Sequence, residues 1–128
     1  MMNKITRETL LHEYFKQWTR LFKEGAVRPI TLEKYRNNYV HLKNIVPDLA
    51  LYQLDRTTYQ QILNDYALTH ERQTVIDFHH QLKGAVLDAV DEGYIDRDPT
   101  RKVVFKGKAP RIKKMKYLSL VRYQNLIL

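Results

Sequence analysis

Along the first hundred residues, apolar side chains recur every three or four positions, the spacing that lines one face of an α-helix, and four such stretches can be read. The first covers roughly residues 6–24, with Leu10, Leu11, Tyr14, Phe15, Trp18, Leu21 and Phe22 on one stripe and Gly25 placed to end it in a left-handed cap. The second follows Pro29, opens near Thr31, carries Leu32, Tyr35, Tyr39, Leu42 and Val46 on one side, and stops at Pro47. The third is expected to open on a capping box, with Thr57 accepting from the helix amides and Gln60 reaching back. It buries Tyr59, Ile62, Leu63 and Tyr66 and ends near Thr69. The fourth opens around Thr74, buries Val75, Phe78, Leu82, Ala85, Val86, Ala89 and Val90, and closes at Gly93. Tyr94 and Ile95 then pack back on the core, and Asp98-Pro99 forces an extended exit. Leu118-Ser119, followed by Leu120, Val121, Tyr123, Leu126, Ile127 and Leu128, looks like the start of another helix capped by Ser119, within a following domain. No segment of useful length alternates at period two, so the expected fold class is all-α.

A chain of 128 residues with 44% hydrophobic content supports one modest core. No run approaches the roughly 18 to 20 apolar residues of a membrane helix, and no apolar signal segment follows Met1, so the expectation is a cytoplasmic protein with no membrane partner. The absence of cysteine excludes disulfides, thiolate metal sites and cysteine nucleophiles.

The formal charge of +8 changes the picture once it is mapped. Residues 1–100 hold 13 Lys/Arg against 14 Asp/Glu, a net of −1, whereas residues 101–128 hold 9 Lys/Arg and no acid, a net of +9. Eight of those cations, Arg101, Lys102, Lys106, Lys108, Arg111, Lys113, Lys114 and Lys116, fall within sixteen residues that include Gly107 and Pro110. This composition reads as an extended basic strap that leaves the helical domain. It is either a solvated tail or a contact for a polyanion, with nucleic acid ahead of a membrane surface because no amphipathic anchor accompanies it.

Catalytic and cofactor chemistry finds little support. His41, His70, His79 and His80 are too scattered for a zinc set, and the adjacent His79 and His80 face about 100° apart on a helix. There is no glycine-rich phosphate loop and no Gly-x-Ser-x-Gly turn, and most of the nine tyrosines sit on core stripes. No cofactor, metal or small-molecule substrate is expected.

One stretch carries a specific pattern. Thr74-Val75, Phe78-His79, Leu82, Ala85-Val86, Ala89-Val90, Gly93, Ile95 and Asp98-Pro99 resemble the tyrosine-recombinase integrases of phages and mobile elements, although Asp98 stands where Asn is commoner. Upstream, Thr31-x-x-x-Tyr35 and Leu54-x-x-Thr57 with Gln60 are similar to the openings of that family's second and third helices, and Lys116-Tyr117-Leu118-Ser119 is similar to its join with the catalytic domain. The resemblance covers roughly residues 6–120. It implies a four-helix, SAM-like core-binding bundle, one arm of a clamp around a recombination core site, followed by a basic linker. The implied division is 1–100 for the helical DNA-binding domain, 101–116 for the interdomain linker and 117–128 for the truncated start of the catalytic domain. The family's catalytic arginines, His-x-x-Arg segment and tyrosine nucleophile are absent from this sequence. Catalysis by the fragment is therefore not expected, and Tyr117 and Tyr123, at the join, are not nominated as nucleophiles. The fragment is expected to be monomeric and the parent recombinase multimeric on DNA.

If the stripes are buried, helical geometry fixes what the second and fourth helices present outward. From Tyr35, the outward set is Glu33, Lys34, Asn37, His41 and Asn44, with Thr31 at the exposed end and Asn38 on a flank. From Phe78 it is Gln73, Asp77, His80, Lys83 and Gly84, with Arg72 and Thr74 at the N-terminus. His79 matches a family position and suits a structural role on the helix flank as readily as a DNA contact. Amides, imidazoles and basic tips can read base edges or grip phosphates, and they equally suit a solvated face. The candidate DNA-binding set is therefore Thr31, Lys34, Asn37, Asn38, His41, Arg72, Gln73, Thr74, Asp77, His80 and Lys83, joined by Arg101, Lys102, Lys106, Lys108, Arg111, Lys113 and Lys114 of the strap. The expected partner is double-stranded DNA. The alternatives are a stand-alone helical DNA-binding regulator and a helical protein-interaction module with a basic tail.

Overall fold

The computed structural model describes residues 4–110. The expected helix around Leu118 and Ser119, and the cations Arg111, Lys113, Lys114 and Lys116, lie outside the described residues. Among the described residues there are four α-helices and no β-strand: α1 (Leu11–Phe22), α2 (Pro29–Ile45), α3 (Arg56–Ala67) and α4 (Arg72–Asp91). A single 3₁₀ turn, Leu51–Gln53, precedes α3. No helix among them is long and apolar enough to cross a membrane.

The core forms where the apolar stripes meet. Leu11, Tyr14, Phe15 and Trp18 of α1 pack with Tyr35 and Leu42 of α2, Tyr59, Ile62 and Leu63 of α3, and Val75, Phe78, Leu82, Ala85, Val86 and Ala89 of α4. Two polar tips tie α1 to α4, one inside this core and one at its edge. The Tyr14 hydroxyl donates to the Ala85 carbonyl at 2.7 Å, and the Trp18 indole N–H donates to Asp88 at 2.7 Å. Such bonds let a large aromatic body be buried without orphaning its polar end.

Several boundaries differ from the sequence reading. Helix α1 starts at Leu11 rather than Thr6, because the backbone before it pairs with the segment ahead of α3: Leu11 N–H donates to Leu49, and Leu51 and Tyr52 N–H donate to Thr9 and Arg7. Leu21 and Phe22, expected on the buried stripe, are exposed and lie over an open cleft beside Asp88, Asp91 and Tyr94. The N-cap of α3 is Asp55, whose carboxylate accepts from Thr58 N–H at 2.8 Å. Thr57 is not the cap, and Gln60 does not reach back to it. A charged acceptor wins over a hydroxyl at the positive end of a helix.

The largest departure is the strap. Residues 101–108 do not leave the domain after Pro99 but run back over α3 and the start of α4. The reason is a set of side chain to backbone bonds that local patterning does not reveal. Arg56 donates to the carbonyls of Arg101 and Lys102, each at 3.2 Å. The Gln60 amide pairs with Val104 in both directions, donating to its carbonyl at 2.8 Å and accepting from its N–H at 2.9 Å. Lys108 N–H then donates to the His70 carbonyl at 2.9 Å. Between these ties Phe105 packs edge-on to His79. Gly107, at φ 152°, presses so close to α4 that a Cβ there would sit 2.5 Å from Arg72 N. Only glycine fits that approach.

Candidate nucleic-acid interface

Helices α2 and α4 lie side by side and leave an open cleft of about 610 Å³ between them. Lys34, Asn37, Asn38 and His41 enter it from α2, and Thr74, Asp77 and His80 from α4. Seven of the eleven helix residues nominated from sequence thus converge on one concavity. The other four do not line it. Thr31 is half-buried in the first turn of α2, Arg72 and Gln73 are exposed in the first turn of α4, and Lys83 is half-buried one turn beyond the cleft. Gly84, read as outward, is exposed and lies beside the Trp18 ring, whose edge would stand 3.4 Å from an added Cβ.

The cleft's polar groups are not equally free. Asn38 is buried, and its amide donates to the Gln81 side chain, so it ties α2 to α4 rather than standing on a flank. Gln81 also lines the cleft and was not anticipated, because its partner lies 43 residues away in sequence. Gln73 donates to Asp77 at 3.1 Å, a bond along the α4 face that partly engages the one carboxylate that lines the cleft among the described residues. Asn37, Lys34 and His80 remain exposed at the mouth.

An aromatic column supports the floor. Phe78 stacks on Tyr66 at 4.0 Å between centroids, and Tyr66 stacks on His70 at 3.9 Å. The His41 ring meets both Tyr66 and His70 edge-on, at 5.0 and 5.2 Å. Burial, with His70 adding to it, lowers the His41 pKa, which favours a neutral imidazole able to both donate and accept. His79, next to His80, points the other way into the core, where its Nδ1 shares a hydrogen bond of 2.8 Å with the Tyr59 hydroxyl. Burial, helped by His80 and Lys83, pushes His79 down to about 4, and burial pushes the Tyr59 hydroxyl up. His79 is thus a structural residue of the core, the first of the two roles open to it from sequence.

Of the strap cations, Lys102 and Lys106 line a groove along α3, Arg101 lies by the Asp96–Pro99 turn, and Lys108 sits beside the start of α4. Arg111, Lys113 and Lys114 lie outside the described residues. Sequence reasoning missed Arg56 and Gln60 as the residues that seat the strap. The spacing of Arg56, Gln60 and Asn64 on one face of α3 is visible in the sequence, but nothing local shows that its partner is a stretch of backbone more than forty residues on.

An all-helical unit with a polar cleft between its second and fourth helices and a basic strap folded against its third is the class this geometry defines. It is similar to the crystal structure of the N-terminal domain of an integrase, prophage pi2 protein 01 of Lactococcus lactis. The TM-score is 0.72 at 29% identity, over 77% of this chain and 94% of that one. It is also similar to the solution structure of a phage integrase fragment from Staphylococcus saprophyticus, with a TM-score of 0.63 at 35% identity, over 71% of this chain and 83% of that one. No family model matches the chain, and no curated protein matches it. The chain belongs to the N-terminal domains of phage integrases.

Proposed function

We propose that this domain binds double-stranded DNA sequence-specifically at a recombination core site, as the N-terminal clamp arm of a site-specific tyrosine recombinase. The reading rests on one observation above all: Lys34, Asn37, His41, Thr74 and His80, from two helices about forty residues apart in sequence, line a single cleft. Amide, imidazole and hydroxyl groups can pair with the donor and acceptor pattern of base edges, whereas a lone lysine opposed by Asp77 gives little general attraction for phosphate. The strap supplies that attraction. Its cations continue beyond Pro110 in the sequence as Arg111, Lys113, Lys114 and Lys116. Strand cleavage and joining belong to a catalytic domain with the arginines and tyrosine that this sequence lacks, and the domain's own contribution is to hold and select the duplex.

Salt separates the two contributions. If all eight strap cations of 101–116 met phosphates, the slope of log affinity against log salt would approach about −7, at about 0.9 per contact. Replacing Lys106, Lys108, Lys113 and Lys114 with Gln is expected to flatten the slope by up to about 3.6 and to weaken specific and random duplexes alike. A slope unchanged by the four substitutions in a fluorescence-anisotropy titration would remove the strap from the interface.

A further inference from the structure

The basic strap and α3 together make something that neither makes alone. With the strap seated, Arg56, Thr57, Gln61 and Asn64 of α3 face Lys102 and Lys106 across a groove of about 420 Å³. Among the described residues no acid lines it, in contrast to the α2–α4 cleft, where Lys34 and Asp77 share the lining. The nearest acid in sequence, Asp55, has its carboxylate turned to the Thr58 N–H as the helix cap. None of the ion pairs among the described residues involves Arg56, Lys102 or Lys106. Arg56 and Thr57 also border a neighbouring concavity that Asp55, Asp96 and Asp98 line, so the attraction of the groove for an anion is carried chiefly by Lys102 and Lys106, with Arg56 between the two sites.

We propose that this α3–strap groove is a second DNA-contact surface, one that grips the phosphodiester backbone and reads no sequence. The proposal rests on the reading of the domain as a DNA binder and extends it to a helix that the sequence did not nominate. One of the cations and the strap backbone are fixed in advance, while the Lys102 and Lys106 side chains stand exposed on that backbone. Arg56 is held by two strap carbonyls, and the Gln60–Val104 pair keeps the strap at its distance from α3, so little ordering of the backbone remains to be done on binding. Thr57, Gln61 and Asn64 add hydroxyl and amide donors of the kind that bond phosphate oxygens. The groove is also joined to the cleft. The strap runs on to Lys108, bonded to His70, and the His70 ring meets His41 of the cleft at 5.2 Å.

Gln61 gives the cleanest test, since it is exposed on α3 and takes no part in seating the strap. With the full chain and a random-sequence duplex, Gln61→Lys is expected to tighten binding and steepen the salt slope by about 0.9, the value of one added phosphate contact. Gln61→Glu is expected to weaken binding. Lys102→Gln with Lys106→Gln should flatten the slope by up to about 1.8. Circular dichroism melting checks that each variant keeps the wild-type fold, and none should alter sequence preference. Wild-type slope and affinity in both Gln61 variants would overturn the groove while leaving the cleft reading intact. A wild-type chain that fails to bind duplex DNA at all would overturn both.

Discussion

Trp18→Ala is expected to cost about 3 to 5 kcal/mol of folding stability, the range for truncating a buried large aromatic. The indole is 7% exposed and sits at the α1–α4 contact with Phe15 and Tyr35 around it. The substitution also removes the indole N–H that Asp88 accepts at 2.7 Å and opens space beside Gly84. For a domain this small such a loss approaches the whole margin of stability. Phe22→Ala is the internal comparison. The two rings lie 6.0 Å apart, but Phe22 is 54% exposed, so its truncation should cost well under half as much. Urea unfolding of the two variants checks the pair, and equal losses would mean that the Trp18 side chain is not part of the core.

Acid is expected to weaken the fold well above the range where carboxylates titrate. His79 is buried and hydrogen-bonded to the Tyr59 hydroxyl, and burial lowers its pKa from 6.5 to about 4 in the folded chain. Between those values the unfolded chain binds a proton that the folded chain refuses, so stability is full above about pH 6.5 and declines as pH falls toward 4. The loss reaches up to about 3 kcal/mol at the lower end. His41, also lowered by burial, acts in the same direction. Asp55 and Asp96 are lowered from 3.8 by Thr58 and Arg7, so their contributions disappear only below that window. Imidazole NMR titration checks the assignment. The His79 ring should stay neutral down to about pH 4.5, and a His79 that protonates near 6.5 would contradict the buried pair.

The four helices were legible because each carries a stripe at helical period, and three of them meet a proline or glycine near an end: Gly25 follows α1, Pro29 opens α2 and Pro47 follows it, and Gly93 follows α4 with φ 84°. The outward residues of α2 and α4 were legible for the same reason, since Tyr35 and Phe78 set the inward direction, but that seven of them share one cleft was not. What could not be read were contacts made by polar side chains with distant partners. Gln60 looks like half of a capping box and instead pairs with the Val104 backbone. Asn38 looks like a flank residue and instead is buried on Gln81. The strap looks like a solvated tail because its composition is basic and glycine-containing. Only the placement of Arg56, Gln60 and His70 in space turns residues 101–108 into a seated segment.

The central claim is that the α2–α4 cleft chooses the DNA sequence and the strap supplies affinity without choosing. Selection from a randomised duplex library by the full chain tests it directly. The wild type is expected to enrich one motif. Asn37→Ala or His80→Ala should blur or change positions within that motif, and the four-lysine variant of the strap should enrich the same motif at lower affinity. A motif that survives both cleft substitutions and changes when the strap is altered, or no motif at all from the wild type, would contradict the account.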